Sequence, residues 1–309
     1  MTRDRLRIAT RKSALALWQA NHVKGALERA HRRLAVELVG LTTEGDRRLD
    51  ARLSDAGGKG LFIKELEVAM ADGRADVAVH SMKDVPATLP DGFELPVIAF
   101  RADVRDAFVS LRHRSLADLP AGAKVGSSSL RRSAQLLARR PDLVVVPVRG
   151  NVNTRIDKLD RGDFDALLLA AAGLDRLGLG QRINERLSVD SSLPAAGQGA
   201  LGVECPSGRN DIVRLLAPLV DRRVRDCVVA ERAVSAALGA DCSLPIGAYA
   251  TESSGTFDLR ALIANREGTR IITARRSGAN PEALGRDVAQ ALRAQGADEL
   301  LAELRERDH

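Results

Sequence analysis

Between Val125 and Arg155 the chain sets arginines around two points where a helix should begin, in the run VGSSSLRRSAQLLARRPDLVVVPVRGNVNTR. Ser127, Ser128 and Ser129 are N-cap residue types for a helix from about Leu130 to Arg139, which puts Arg131 and Arg132 in its first turn. A cation there opposes the helix dipole at a cost of ~0.3–1 kcal/mol, so two together call for an offsetting reason, which a bound anion would supply. The pattern then repeats. An apolar strand, Leu143 to Val148, ends at Arg149-Gly150, and Asn151 can cap a helix that carries Arg155. Backbone N–H groups, hydroxyls and guanidinium forks in this arrangement suit carboxylates or phosphates. A chain this rich in arginine would also scatter some here without purpose, and the spacing alone does not choose between the two.

The elements that must position these groups read as alternating strands and helices. Leu6 to Ala9 is a short strand, followed by Arg11 and by Ser13, the expected cap of a helix from Ala14 to Ala30. The segment RKSALAL at 11–17 resembles RRSAQLL at 131–137, which suggests two domains of like topology that bind through equivalent turns. Ala35 to Leu41 is a strand, and 42–60 is a polar, glycine-rich loop carrying Lys59, either a lid or an idle solvated loop. Leu61 to Ala71 is an amphipathic helix. Asp76 to Val79 forms a strand that enters the loop His80-Ser81-Met82-Lys83-Asp84, and loops at the carboxyl ends of such strands are where ligands bind in open α/β sheets.

Phe93 to Phe100 is strand-like, and a second α/β set covers 106–189, with a buried strand at Ala166–Leu169 ahead of Arg176. The stretch Leu193 to Gly199, which contains Gln198, crosses back so that Ala200–Glu204 completes the first sheet. Two crossings, near 101 and 195, imply a hinged pair of domains with a cleft. A helix from Asp221 to Leu238, three strands with a hairpin turn at Asn265–Gly268, and helices from Pro281 and Ala297 make a small α+β domain. The expected fold is therefore two hinged, doubly wound α/β domains of type II periplasmic-binding-protein kind plus that third domain. Their boundaries are 1–100 with 200–218, 105–193, and 221–309.

Composition narrows the function. Of 309 residues, 45% are hydrophobic and 28% charged, and 47 basic against 41 acidic residues leave a net charge of +6, compatible with an acidic ligand. Aromatics are 3%, with one Trp and one Tyr, so stacking platforms for nucleic acid are scarce. No secretory signal is evident, and the longest apolar run, Ala166 to Leu174, is too short for a bilayer. Cys205 and Cys227 read as core residues, and no metal site is implied. Cys242 stands in a loop between Gly239 and Pro245, where a thiol can serve as an attachment point or be an ordinary free cysteine.

The segments IATRKSALALWQA, GGKGLFIKELE, VHSMKDVP, GSSSLRRSAQ, VRGNVNTR, AAGLDRLG, PAAGQGALGVE and CSLPIGAY, in this order over nearly the whole chain, resemble the porphobilinogen deaminase (hydroxymethylbilane synthase) family. The resemblance implies a cytoplasmic, monomeric transferase of tetrapyrrole biosynthesis that joins four porphobilinogen molecules head to tail, with loss of ammonia. It also implies a dipyrromethane cofactor held on Cys242 by a thioether. By the family pattern Asp84 is catalytic, and Lys83, Asp84, Ser127, Ser128, Ser129, Arg131, Arg132 and Arg155 hold the cofactor. Arg11, Ser13, Gln19, Lys59, Arg149, Arg155, Arg176 and Gln198 meet substrate, with Lys59 on a lid. The carboxylates of each pyrrole explain the arginines, since guanidinium binds carboxylate in bidentate fashion. The chain departs from the family's common pattern at Ala240-Asp241, where glycine usually precedes the cysteine, and at Ser127, where threonine is common. A non-enzymatic hinged polycarboxylate-binding protein is the alternative; a nucleic-acid-binding regulator is a weaker one. No nucleic-acid or membrane partner is expected.

Overall fold

The computed structural model describes residues 4–42, 63–239 and 244–306. Two compact units emerge, one of 1–101 with 200–225 and the other of 102–199 with 226–309.

The first unit is built on a five-stranded sheet of β1 (Arg5–Arg11), β2 (Ala35–Leu41), β3 (Val77–Ser81), β4 (Phe93–Ala99) and β10 (Leu201–Pro206), in the order β2-β1-β3-β10-β4. β10 is antiparallel to both neighbours, as expected of a returning strand. One face packs Ile8, Val77, Val79 and Val203 with Val23 and Leu27 of helix Ala14–Ala30. Ala9 and Ala78, on the other face, lie under Leu66, Ala69 and Met70 of helix Lys64–Ala71. β3 runs two residues beyond the expected Val79, so His80 and Ser81 sit in the strand and only Met82–Asp84 forms the turn, as one 3-10 helix. The extension follows from pairing: Gly202 and Leu201 stand opposite His80 and Ser81.

The second unit carries β5 (Asp106–Ser110), β6 (Lys124–Gly126), β7 (Val144–Val146), β8 (Ala166–Ala170) and β9 (Glu185–Arg186), in the order β7-β6-β8-β5-β9. β5 is the antiparallel member. Both sheets thus share one order, second-first-third-inserted-fourth, with the inserted strand next to a crossing. That shared order agrees with the two related α/β halves suggested by the short internal match. The same unit holds an antiparallel sheet of β11 (Ile246–Ser253), β12 (Thr256–Ala264) and β13 (Ile271–Gly278), packed on helices Arg222–Ala237, Pro281–Arg293 and Ala297–Glu306. Glu231, fully buried, accepts from Gly197 N at 2.7 Å and Ala250 N at 2.8 Å, tying the crossing segment to β11. Gly199 has φ +86 and a Cβ there would lie 2.6 Å from Ala102 O, so the crossing needs glycine at that place. Among the described residues no helix is long and apolar enough to cross a membrane.

Candidate active site

In the first unit a cavity of about 80 Å³ opens where β1 and β3 end, lined by Arg11, Ser13, Gln19, His80, Ser81 and Asp84 among others. Ser13 caps helix Ala14–Ala30, its hydroxyl accepting from Ala16 N at 3.4 Å. Gln19, six residues further on and 4% exposed, donates to Ser81 Oγ at 2.8 Å. Asp84 closes the 3-10 turn; its side chain is exposed and has no hydrogen-bond or ion-pair partner among the described residues. Lys83 is half-buried beside it. The structure therefore brings Arg11, Ser13, Gln19 and Asp84 to one cavity, with a solvated carboxylate at its rim.

In the second unit helix Leu130–Arg139 starts as expected, at Ser129, though that side chain makes no capping bond. Ser127 Oγ accepts from Ser129 N at 3.3 Å, and Ser128 Oγ accepts from Val148 N at 3.0 Å. Arg131 and Arg132 are 3% and 6% exposed, and the protein's own Asp106, at 0%, supplies a counter-charge that the expectation of a bound anion did not include. Asp106 accepts from Arg131 Nη1 at 2.7 Å and Nη2 at 3.1 Å, Arg132 Nε at 2.7 Å, Ser192 Oγ at 2.7 Å and Gln198 Nε2 at 3.0 Å. Burial pushes its carboxyl up, but the charges of Arg131 and Arg132 and the bonds from Arg131 and Ser192 outweigh it. They hold Asp106 well below the usual carboxylate range. Gln198, fully buried, also accepts from Arg132 Nη2 at 3.2 Å and donates to Val104 O at 2.6 Å. Arg131 Nε is buried with no partner among the described residues.

The second cradle forms around a glycine. Gly150 has φ +107, and a Cβ would lie 2.7 Å from Thr154 Cγ2, so the Arg149-Gly150 turn excludes other residues. Asn151 caps helix Val152–Asp160 by accepting from Thr154 N at 2.9 Å. Arg155 Nε donates to Gly150 O at 2.9 Å, and Arg149 is half-buried. Arg176, 9% exposed, donates to Gly199 O at 2.6 Å, and burial lowers its guanidinium to about 10. Cys205 and Cys227 are buried in the cores, as their patterns imply, and burial pushes the Cys205 thiol up to about 12. Lys59 and Cys242 lie outside the described residues.

Comparison with known proteins meets this geometry at two levels. A family model described as porphobilinogen deaminase, dipyromethane cofactor binding domain, matches residues 6–214, and one for the C-terminal domain of the same enzyme matches 226–294. The chain belongs to the porphobilinogen deaminase family. A porphobilinogen deaminase of Chromobacterium violaceum is 55% identical over 97% of this chain and 97% of its own. One from Thiobacillus denitrificans is 56% identical over 96% and 97%. Among solved structures, a putative methionine-binding lipoprotein of Bacillus subtilis aligns at 14% identity over 72% of this chain and 93% of that chain, with a TM-score of 0.45. The fold is set by the strand orders of the two sheets.

Every sequence-predicted site residue except Cys242 falls inside the match to the family's cofactor-binding domain. The sequence reading had no role for Asp106, Ser192, Glu204 or Glu67. Asp106 and Glu204 did carry a signal, each being a charged residue in an otherwise apolar strand.

Proposed function

We propose that this chain deaminates porphobilinogen and links four of the resulting pyrrole units head to tail, releasing hydroxymethylbilane by hydrolysis. The observation that supports it best is Asp84, an exposed carboxylate with no partner among the described residues, at the rim of a cavity lined by Arg11, Ser13 and Gln19. It occurs in a chain 55–56% identical, nearly end to end, to relatives named for this activity. A negative charge there stabilises the methylene-pyrrole cation left on the substrate when ammonia departs, and can take the proton released as the new C–C bond forms. Arg11, Ser13, Gln19, Lys59, Arg149, Arg155 and Arg176 are assigned to the substrate's acetate and propionate groups. Gln198, which donates to Asp106 and Val104 O and accepts from Arg131 and Arg132, acts by fixing the two arginines.

A dipyrromethane fits the donor set of this chain. Lys83, Ser127, Ser128, Ser129, Arg131, Arg132 and Arg155 offer cationic and hydroxyl donors, and Arg131 Nε is a buried donor with no acceptor among the described residues. We assign its attachment to Cys242 through a thioether; when bound, it supplies the nucleophilic pyrrole carbon on which the chain grows. Three domains, with the boundaries expected from the sequence, hinge in this reading around the crossings, in a monomeric cytoplasmic enzyme without nucleic-acid or membrane partners. Intact-mass measurement before and after addition of porphobilinogen tests it. An adduct that maps to Cys242, with stepwise mass increments and turnover, is expected. Protein with neither adduct nor turnover would favour the hinged polycarboxylate-binding alternative.

A further inference from the structure

Behind the cavity that Asp84 borders, three titratable side chains from three elements are packed together and have no role in the reading above. Register places Gly202 opposite His80 and Glu204 opposite Ala78, so His80 and Glu204 project from one face of the sheet. His80 Nε2 lies 2.7 Å from Glu204 Oε2, with the two side chains 5% and 0% exposed. Helix Lys64–Ala71 covers this face and brings half-buried Glu67 within hydrogen-bonding reach of Glu204. The second Glu204 oxygen, Oε1, is buried and receives no N–H or O–H from any described residue that is a standing donor. With Glu204 beside it in a dry site, Glu67 holds its proton more tightly than an exposed carboxyl does, because ionising both groups there is costly.

We propose that Glu67, Glu204 and His80 form a relay that takes the proton delivered to Asp84 at each condensation and passes it to solvent. The inference rests on the deaminase reading. In each round of that reaction the C–N bond of the aminomethyl group breaks and its electron pair leaves on ammonia. A C–C bond forms, and the C–H pair of the attacking pyrrole carbon returns to its ring as the proton passes to the Asp84 carboxylate. Asp84 must lose that proton before it can serve again. His80 lines the same cavity as Asp84, whose volume of about 80 Å³ has room for water. Through such water the imidazole takes up the proton and gives its Nε2 proton to Glu204. Glu204 shares it with Glu67, and the half-buried Glu67 releases it to bulk.

Among the described residues, Glu204 of β10 and His80 of β3 face Glu67, and Arg11 of β1 and Asp84 are the other charged groups lining the cavity. Burial, then the charge of Glu204, push the Glu67 carboxyl up to about 7, with His80 pulling the other way. A proton acceptor of that strength can work in both directions near neutral pH.

Glu67→Gln keeps the shape and removes the titration, and Glu67→Asp keeps the carboxyl on a shorter arm. Intact mass of the parent and both variants first tests the deaminase reading; kcat against pH then tests the relay. The parent kcat should rise with pH through about 7. In Glu67→Gln that step should vanish and kcat at pH 8 fall by about tenfold, less than the ~10²–10⁴ of a direct acid–base group. Glu67→Asp should regain part of both. Independently of turnover, isotope-edited infrared spectra should show a Glu67 carboxyl titrating near 7 in the parent and absent in Glu67→Gln. An active, adduct-bearing parent whose Glu67→Gln form keeps the pH profile, whether or not the rate drops, overturns the relay and leaves the deaminase reading standing. So does a Glu67 that titrates in the ordinary carboxylate range. A parent with no adduct and no turnover overturns the deaminase reading, and the relay with it.

Discussion

Replacing Asp106 by Asn should expose how far the arginine cradle depends on one buried charge. The carboxylate accepts three bonds at Oδ1, from Arg131 Nη2, Arg132 Nε and Gln198 Nε2, and two at Oδ2, from Arg131 Nη1 and Ser192. An Asn keeps most by setting its oxygen at the Oδ1 position, which points its NH2 group at Arg131 Nη1 across 2.7 Å. The Ser192 hydroxyl can rotate to accept, but the guanidinium cannot. One charged bond lost is worth ~1.5–3 kcal/mol, and two buried cations left without a counter-charge bring the total to ~3–5 kcal/mol. That is a large part of the ~5–15 kcal/mol that holds a typical domain. The sign with pH is set by the depressed carboxyl: its contribution is complete above the ordinary value of 3.8 and fades only as pH falls through the lower folded value. The Asn penalty should therefore be flat from pH 5 to 9. Hydrogen exchange suits a chain with two compact units better than a single melting point. Amides of β8 and of helix Leu130–Arg139 should lose about 10²–10⁴-fold in protection, with those of β1 and β3 unchanged. Protection within threefold of the parent would show that Asp106 is dispensable and that the arginines are compensated otherwise.

The same pairing makes Arg132→Leu an impure test of cofactor holding, since it also removes one of the two charges that hold Asp106; Asp106→Leu with Arg132→Leu should unfold at a higher temperature than Asp106→Leu alone, because one buried cation rather than two is left without its counter-charge, while still lacking the adduct. Asp84→Asn should keep fold and adduct, because the carboxylate is exposed and has no partner among the described residues, yet lose ~10²–10³ in turnover; a folded, adduct-bearing variant near parental rate would remove Asp84 from the chemistry. Cys205 should resist thiol reagents in the native protein at pH 8, since it is fully buried and its thiol is pushed up to about 12, and mass mapping of native labelling would detect any exception. As pH rises from 4.5 to about 7 the parent should lose stability relative to Glu67→Gln, because a raised carboxyl favours the folded state only while protonated; parallel melting curves across that window check the sign.

Much of this protein is legible without its coordinates because the signals are local. Helix Leu130–Arg139 begins and ends where its serines and apolar spacing put it, and helix Ala14–Ala30 likewise. The alternating strands of the third sheet and the Asn265–Gly268 turn were readable in the same way, the turn closing with Gly268 N on Asn265 O at 3.2 Å. That an anion would offset Arg131 and Arg132 followed from the helix dipole, although arginines scattered without purpose read equally well. The anion's source did not, because Asp106 lies some 25 residues upstream and meets the guanidinium groups only after β5 inserts beside β8. The end of β3 was misplaced for a related reason: a strand stops where its partner stops, and β10, which pairs with His80 and Ser81, is more than a hundred residues away in sequence. The Glu67, His80 and Glu204 contact is of the same kind, joining three elements through a helix laid across a sheet. Local sequence sets which residues can form a helix, a cap or a turn. Which buried charges meet depends on chain closure over long distances, and burial in a dry interior is what then decides their protonation.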